Sequence, residues 1–154
     1  MTRRKVAISP LEAHLGYWLR FVSNQVSHAF SRKVAACDVS VAEWVILREL
    51  YDGDSLAPST LAEKMGMTRG GVSKLADRLV AKALVTRTTS DEDRRYQALA
   101  LTAQGRALVP RLSALADQND AMFFGHLKPA EWQKIENVMR EIVRRHGFKS
   151  VPVE

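Results

Sequence analysis

Two groups of side chains in this sequence have the chemistry to bind a polyanion. The first is Arg69, Gly70, Ser73, Lys74, Asp77 and Arg78, and the second is the run Asp91-Glu92-Asp93-Arg94-Arg95. Guanidinium and ammonium groups neutralise phosphate, and together with hydroxyl and carboxylate groups they read base edges. A good bidentate base contact discriminates by ~1–3 kcal/mol. Asp77 would repel phosphate, so it either accepts from a cytosine amino group or orients a neighbouring base. Arg78 and Lys82 suit phosphate better. Arg94 and Arg95 suit a narrow minor groove, where the negative potential is enhanced. Asp93 could hold one of them by a charge-assisted hydrogen bond. The plain alternative for each residue is solvated surface. Asp91, Glu92 and Asp93 could also bind a cation, but two adjacent arginines already neutralise them.

Other chemistry is poorly supported. His14, His28, His126 and His146 have no ligand spacing, so no metal is expected. Cys37 is the only cysteine, which excludes an intrachain disulfide and reads as a small apolar residue. There is no nucleophile–base pair and no phosphate-binding glycine loop, so neither an enzyme nor a cofactor is expected. Tyr17, Trp18 and Trp44, with His14, could line a pocket for an aromatic ligand where the terminal helices meet the middle of the chain. Their helical spacing is equally that of core residues.

The elements that must position these groups are marked by caps and periodicity. Ser40 and Glu43 form a capping box opening one helix. Pro58 suits the first position of a short helix that Gly66 stops. Thr68 caps a third helix of this middle segment, Arg69 to about Lys82, whose packed side is Val72, Leu75, Ala76 and Leu79. Gly70, Ser73, Lys74 and Asp77 lie opposite, with Arg78 on the flank. Leu84 to Thr89 and Gln97 to Leu101 are β-prone, and no apolar residue occurs from Thr86 to Arg95, so that segment cannot pack in a core. Three short helices followed by a ribbon with a basic tip make a winged helix-turn-helix.

Long amphipathic helices flank this segment. Pro10 to about Ala36 carries a stripe of Leu11, Leu15, Leu19, Val22, Val26 and Phe30. A helix of about 22 residues follows Thr102, with a kink or bend expected at Pro110. The last helix opens at Pro129 and carries Trp132, Ile135, Val138, Met139 and Ile142. The two ends should pack on each other and on a second copy. The expected layout is a single unit in which residues 10–36 and 103–146 form a dimerisation region and 40–101 a winged DNA-binding region. The fold class is mainly α with a small β wing.

The bulk numbers agree. The chain has 154 residues and a formal net charge of +6, which favours polyanion partners. Met67 to Thr89 carries Arg69, Lys74, Arg78, Lys82 and Arg87 against Asp77 alone, so the charge concentrates on the proposed reading elements. No apolar run is long enough for a signal peptide or a membrane span, so no membrane partner is expected and the cytoplasm is the default location.

At this point the sequence resembles the multiple antibiotic resistance regulators (MarR family) of bacteria, over roughly Leu11 to Arg145. The most specific part is Asp93-x-Arg95-x-x-x-Leu99-x-Leu101-Thr102-x-x-Gly105. Leu61-Ala62 with Met65-Gly66, Leu79-x-x-Lys82-x-Leu84-Val85-x-Arg87, Asn119, and Leu127-x-x-x-Glu131 also match the family pattern. The resemblance implies a homodimer with interlocked terminal helices, a palindromic operator in double-stranded DNA, and repression relieved by a small ligand or an oxidant. Three places depart from the pattern. Ala83 stands where a helix-ending glycine is common, so the fourth helix is expected to end without a left-handed residue. Lys128 stands where Ser or Thr usually caps the last helix, and Gly70-Gly71 replaces small hydroxyl residues. The family's hydroperoxide sensors carry a cysteine near the start of the first helix, whereas Cys37 lies at its end.

The expected function is a ligand-responsive DNA-binding regulator, with an aromatic or phenolic effector. A dimer would set two reading helices ~34–36 Å apart in successive major grooves. The alternative is a winged-helix protein-interaction module without DNA binding, which the basic wing tip disfavours.

Overall fold

The computed structural model describes residues 6–89 and 97–149. Among them lie six α-helices and one two-stranded antiparallel ribbon. Leu11–Ala13 forms a single 3-10 turn, and α1 runs from Leu15 to Ala35. The expected continuous helix from Pro10 is thus broken at His14, whose backbone is extended. Gly16 lies in the first turn after the break, and glycine resists helix by about 1 kcal/mol relative to alanine.

The middle segment follows its local signals closely. α2 spans Val41–Asp52 and opens with the expected capping box: Glu43 N donates to Ser40 Oγ, and Ser40 N donates to a Glu43 carboxylate oxygen. α3 spans Pro58–Met65, with Pro58 in the first turn and Gly66 left-handed at φ 65°. α4 spans Arg69–Ala81, and Gly71 N donates to Thr68 Oγ1 at 3.0 Å. β1 (Val85–Thr89) pairs with β2 (Gln97–Leu101) in a register that sets Arg87 opposite Leu99. Leu56 adds a short third rung, exchanging both backbone hydrogen bonds with Leu99. No local pattern in the sequence marked that bridge.

The core sits inside this segment. Ile46, Leu47 and Leu50 of α2 meet Leu61 and Met65 of α3, Val72 and Leu79 of α4, and Leu99 of β2, all fully buried. Burying each such side chain contributes roughly 1.5–3 kcal/mol. The flanking helices join only in part. α1 buries Val34 alone, and α5 (Ala103–Phe124) buries Gly105, Val109, Leu112 and Asn119. Asn119 ties these two helices together, donating to the Val26 carbonyl and accepting from Lys33 Nζ at 3.0 Å. α5 continues as one helix through Pro110.

α6 (Pro129–His146) buries no residue. Lys128, which has no acceptor in its side chain, supplies only its N–H to Glu131, so half of a capping box is present. The missing cap matches the departure seen in the sequence.

The departure at Ala83 resolves differently. Ala83 takes φ 58°, so the chain does leave α4 through a left-handed residue, and it does so without glycine. Leu84 N then bonds back to the Leu79 carbonyl, closing the helix end. Thr102 braces the turn: its hydroxyl donates to the Ala83 carbonyl at 2.7 Å, and its N–H donates to the Leu84 carbonyl at 3.1 Å. The same hydroxyl accepts from Gly105 N and caps α5. A Cβ at Gly105 would collide with the Leu84 carbonyl oxygen, which explains why glycine stands there.

Candidate nucleic-acid interface

α4 packs through Val72, Leu75, Ala76 and Leu79, all buried, and turns its other side outward. On that outer side Arg69, Gly70, Lys74, Asp77 and Arg78 are exposed and Ser73 is half-buried. The helix N-terminus carries no acidic residue and is open at Gly70, where nothing lies within 4 Å of an added Cβ. The six helix residues singled out from the sequence therefore share one accessible polar surface. Asp93, Arg94 and Arg95 lie outside the described residues.

The structure assigns partners that spacing alone did not reveal. Arg87 of β1 reaches back across this surface, its Nη1 donating to Asp77 Oδ1 at 2.7 Å and its Nη2 to the Ser73 carbonyl at 3.4 Å. Asp77 thus holds a neighbouring arginine, and the pair ties α4 to the first ribbon strand. Lys82, expected at phosphate, is turned inward. Its ammonium donates to Glu43 Oε2 at 2.9 Å and to the Asp38 carbonyl at 2.7 Å. Glu43 is almost fully buried. Burial pushes its carboxyl up, but hydrogen bonds from Lys82 and Ser40 outweigh this and hold it below the ordinary carboxylate value.

Arg87 and Glu43 were missing from the candidate residues. Arg87 had a signal, being the basic end of the Leu79-to-Arg87 motif. Glu43 was legible only as half of a capping box, because its other partner lies 39 residues away.

The aromatic candidates fall into two places. His14 directly precedes α1 and Trp18 donates from its indole N–H to the Glu12 carbonyl, with the Tyr17 ring 5.3 Å from that of Trp18. Trp44 instead packs edge-on against Phe30, 6.5 Å away between ring centres. Phe30 lies thirteen residues beyond Tyr17 on α1, a separation of about 20 Å at helical rise. One copy of the chain does not gather these side chains into one pocket. Cys37 is half-buried against the core. Among the described residues no cluster of His, Cys, Asp or Glu could hold a metal, and no helix is long and apolar enough to cross a membrane.

A winged helix with a polar reading helix is shared by many regulators, so the comparison with known proteins becomes decisive. The profile of the MarR family matches residues 38–95, which cover α2 to α4 and the first ribbon strand. An uncharacterized HTH-type transcriptional regulator of Bacillus cereus is 30% identical over 139 residues, spanning 86% of this chain and 89% of the relative. This chain belongs to the MarR family. It is a transcriptional regulator of MarR type that binds DNA, and its family is one of regulators rather than enzymes. Among solved structures, BpsR from Bordetella bronchiseptica is similar at 25% identity and a TM-score of 0.76, over 88% of this chain and 97% of that one. The DNA binding of BpsR is regulated by 6-hydroxynicotinic acid. A mutant MarR from E. coli complexed with operator DNA shares the fold, with a TM-score of 0.75 at 20% identity, over 84% of this chain and 93% of that one.

Proposed function

We propose that this MarR-family chain is a repressor that binds a palindromic operator as a homodimer and is released by a small aromatic ligand. The observation that carries the reading is an uncovered apolar face at both ends of the chain. On α6, Trp132, Ile135, Val138, Met139 and Ile142 are 43–54% exposed. On α1 and the turn before it, Leu11, Leu15, Leu19 and Phe21 are 55–87% exposed. Covering a half-exposed side chain of this kind contributes roughly 1 kcal/mol, so the face favours association even after the entropy of docking. A two-fold dimer covers both ends at once with one self-complementary interface. Residues 10–36 and 103–146 then form the dimerisation region, and 40–101 the DNA-binding region.

In this reading each copy lays α4 in a major groove. Arg69, Gly70, Ser73 and Lys74 meet bases and the nearest phosphates, and Arg78 meets the backbone. Arg94 and Arg95 enter the minor groove, with Asp93 orienting them. A ligand site uniting His14, Tyr17 and Trp18 with Trp44 needs the second copy, because about 20 Å of α1 separates them within one. The regulation of BpsR by an aromatic acid supports an effector of that class here.

The test is direct. The protein should run as a dimer by light scattering and enrich a two-fold symmetric duplex from a random-sequence pool. Arg95→Ala should weaken that binding while the dimer persists. A panel of phenols and aromatic acids should contain a compound that releases the duplex and raises Tm. A monomer at micromolar concentration would remove the dimer. Failure to enrich any duplex would favour the protein-interaction module instead.

A further inference from the structure

Among the described residues Glu43 is the one charged side chain buried at the level of the core, at 3% exposure. A buried carboxylate is costly unless it is paired and hydrogen-bonded. Glu43 is both, through Ser40 and Lys82, and the cluster around that pair draws on three elements. Its own helix, α2, contributes the Ser40 capping box. The turn that ends α1 contributes Asp38, in the left-handed region at φ 58°. The end of α4 contributes Lys82, whose ammonium bonds to Glu43 Oε2 and to the Asp38 carbonyl, with the Asp38 carboxylate 3.8 Å away. The Lys82 side chain is 27% exposed, so its charge is directed into this corner.

We propose that Lys82 is a positioning residue for DNA binding, locking the C-terminal end of the reading helix α4 to the corner where α1 ends and α2 begins. This rests on the reading of α4 as the helix that meets DNA. The geometry gives the lock leverage. α4 has 13 residues and so is about 20 Å long, and a tilt of about 10° about one end moves the other by about 3 Å, the length of a hydrogen bond. The corner is also continuous with α1, which carries part of the uncovered apolar face. The same ammonium therefore sets α4 relative to the helix on which a second copy is mounted.

The experiment compares the wild-type dimer with Lys82→Met and with the pair Glu43→Gln/Lys82→Met. Each is titrated with a duplex enriched from a random pool and with a scrambled duplex of equal length, over a range of salt. Lys82→Met should lose about tenfold on the enriched duplex, equivalent to ~1.4 kcal/mol. Its affinity for the scrambled duplex and its salt slope should not change. The paired variant removes the buried charge together with its partner, so it keeps the test open if the single variant is too unstable to titrate, and it should show the same loss. Equal losses on both duplexes with a slope reduced by about one phosphate contact would overturn the proposal in favour of a direct backbone contact. Unchanged affinity, or a paired variant that binds like wild type, would overturn it in favour of a purely structural role. If the wild type enriches no duplex, the DNA reading of α4 falls first and this proposal with it.

Discussion

The bond from Arg87 to Asp77 separates two mechanisms for the reading helix. If Asp77 accepts from a cytosine, its removal should cost ~1–3 kcal/mol at one base pair and relax preference at that pair alone. If Asp77 serves to hold Arg87, its removal frees the ribbon relative to α4 and weakens binding without altering base preference. The structure favours the second account. The short bond is 2.7 Å, Arg87 also reaches the Ser73 carbonyl, and the side chains are 64% and 29% exposed. A pair this exposed adds only ~0.2–1 kcal/mol to folding, so Tm should fall by no more than about 2–4 °C. Its effect on DNA binding should be larger than its effect on stability, because it sets the angle between the two elements proposed to contact DNA. Asp77→Ala, Arg87→Ala and the double variant can be compared by fluorescence anisotropy on the enriched duplex and on its single-base-pair variants. Each single variant should lose about five- to tenfold, and the double no more than the larger single loss, giving a coupling of ~1 kcal/mol. Additive losses, or a loss confined to one base pair for Asp77→Ala, would refute the bracing role.

Four further outcomes follow from the same structure. Ala83→Gly relieves a left-handed alanine at φ 58° and should raise stability by about 0.5–1 kcal/mol, read as a Tm increase, since the added freedom of the unfolded chain offsets part of the gain. Gly105→Ala forces a methyl against the Leu84 carbonyl that receives the Thr102 N–H, and should cost about 3 kcal/mol in urea denaturation. The hydrogen bonds to Glu43 hold its folded pKa below the ordinary glutamate value, so its contribution is present above that ordinary value and is lost as pH falls from there towards the lower folded one. Denaturation midpoints measured from about pH 6 down to pH 3 should therefore fall more steeply for wild type than for Glu43→Gln. Ile135→Glu places a charge in the uncovered face of α6, where Ile135 is 45% exposed, and should shift the protein towards monomer by light scattering with little change in helix content.

Local chemistry settles most of the elements. Ser40, Thr68 and Thr102 cap α2, α4 and α5 as their positions required, and Pro58 and Gly66 bound α3. Each of these signals acts within one turn of helix, so a linear reading suffices. The outer surface of α4 was legible for the same reason, since its packed and exposed residues follow one period. The first helix was read too long because an apolar stripe does not register a single extended residue such as His14.

Tertiary structure decided what depends on groups remote in the chain. Lys82 faces Glu43 rather than solvent, and Arg87 faces Asp77 and Ser73, because the turn at Ala83 folds β1 back along α4. Ala83 is left-handed because the reversal demands it, and Thr102, nineteen residues on, braces the carbonyl. Caps, apolar stripes and the placing of charges along the chain are read from the sequence. Which charges are spent inside the protein and which remain for a partner was decided by the fold, because pairing depends on distance in space, and separation along the chain does not report it.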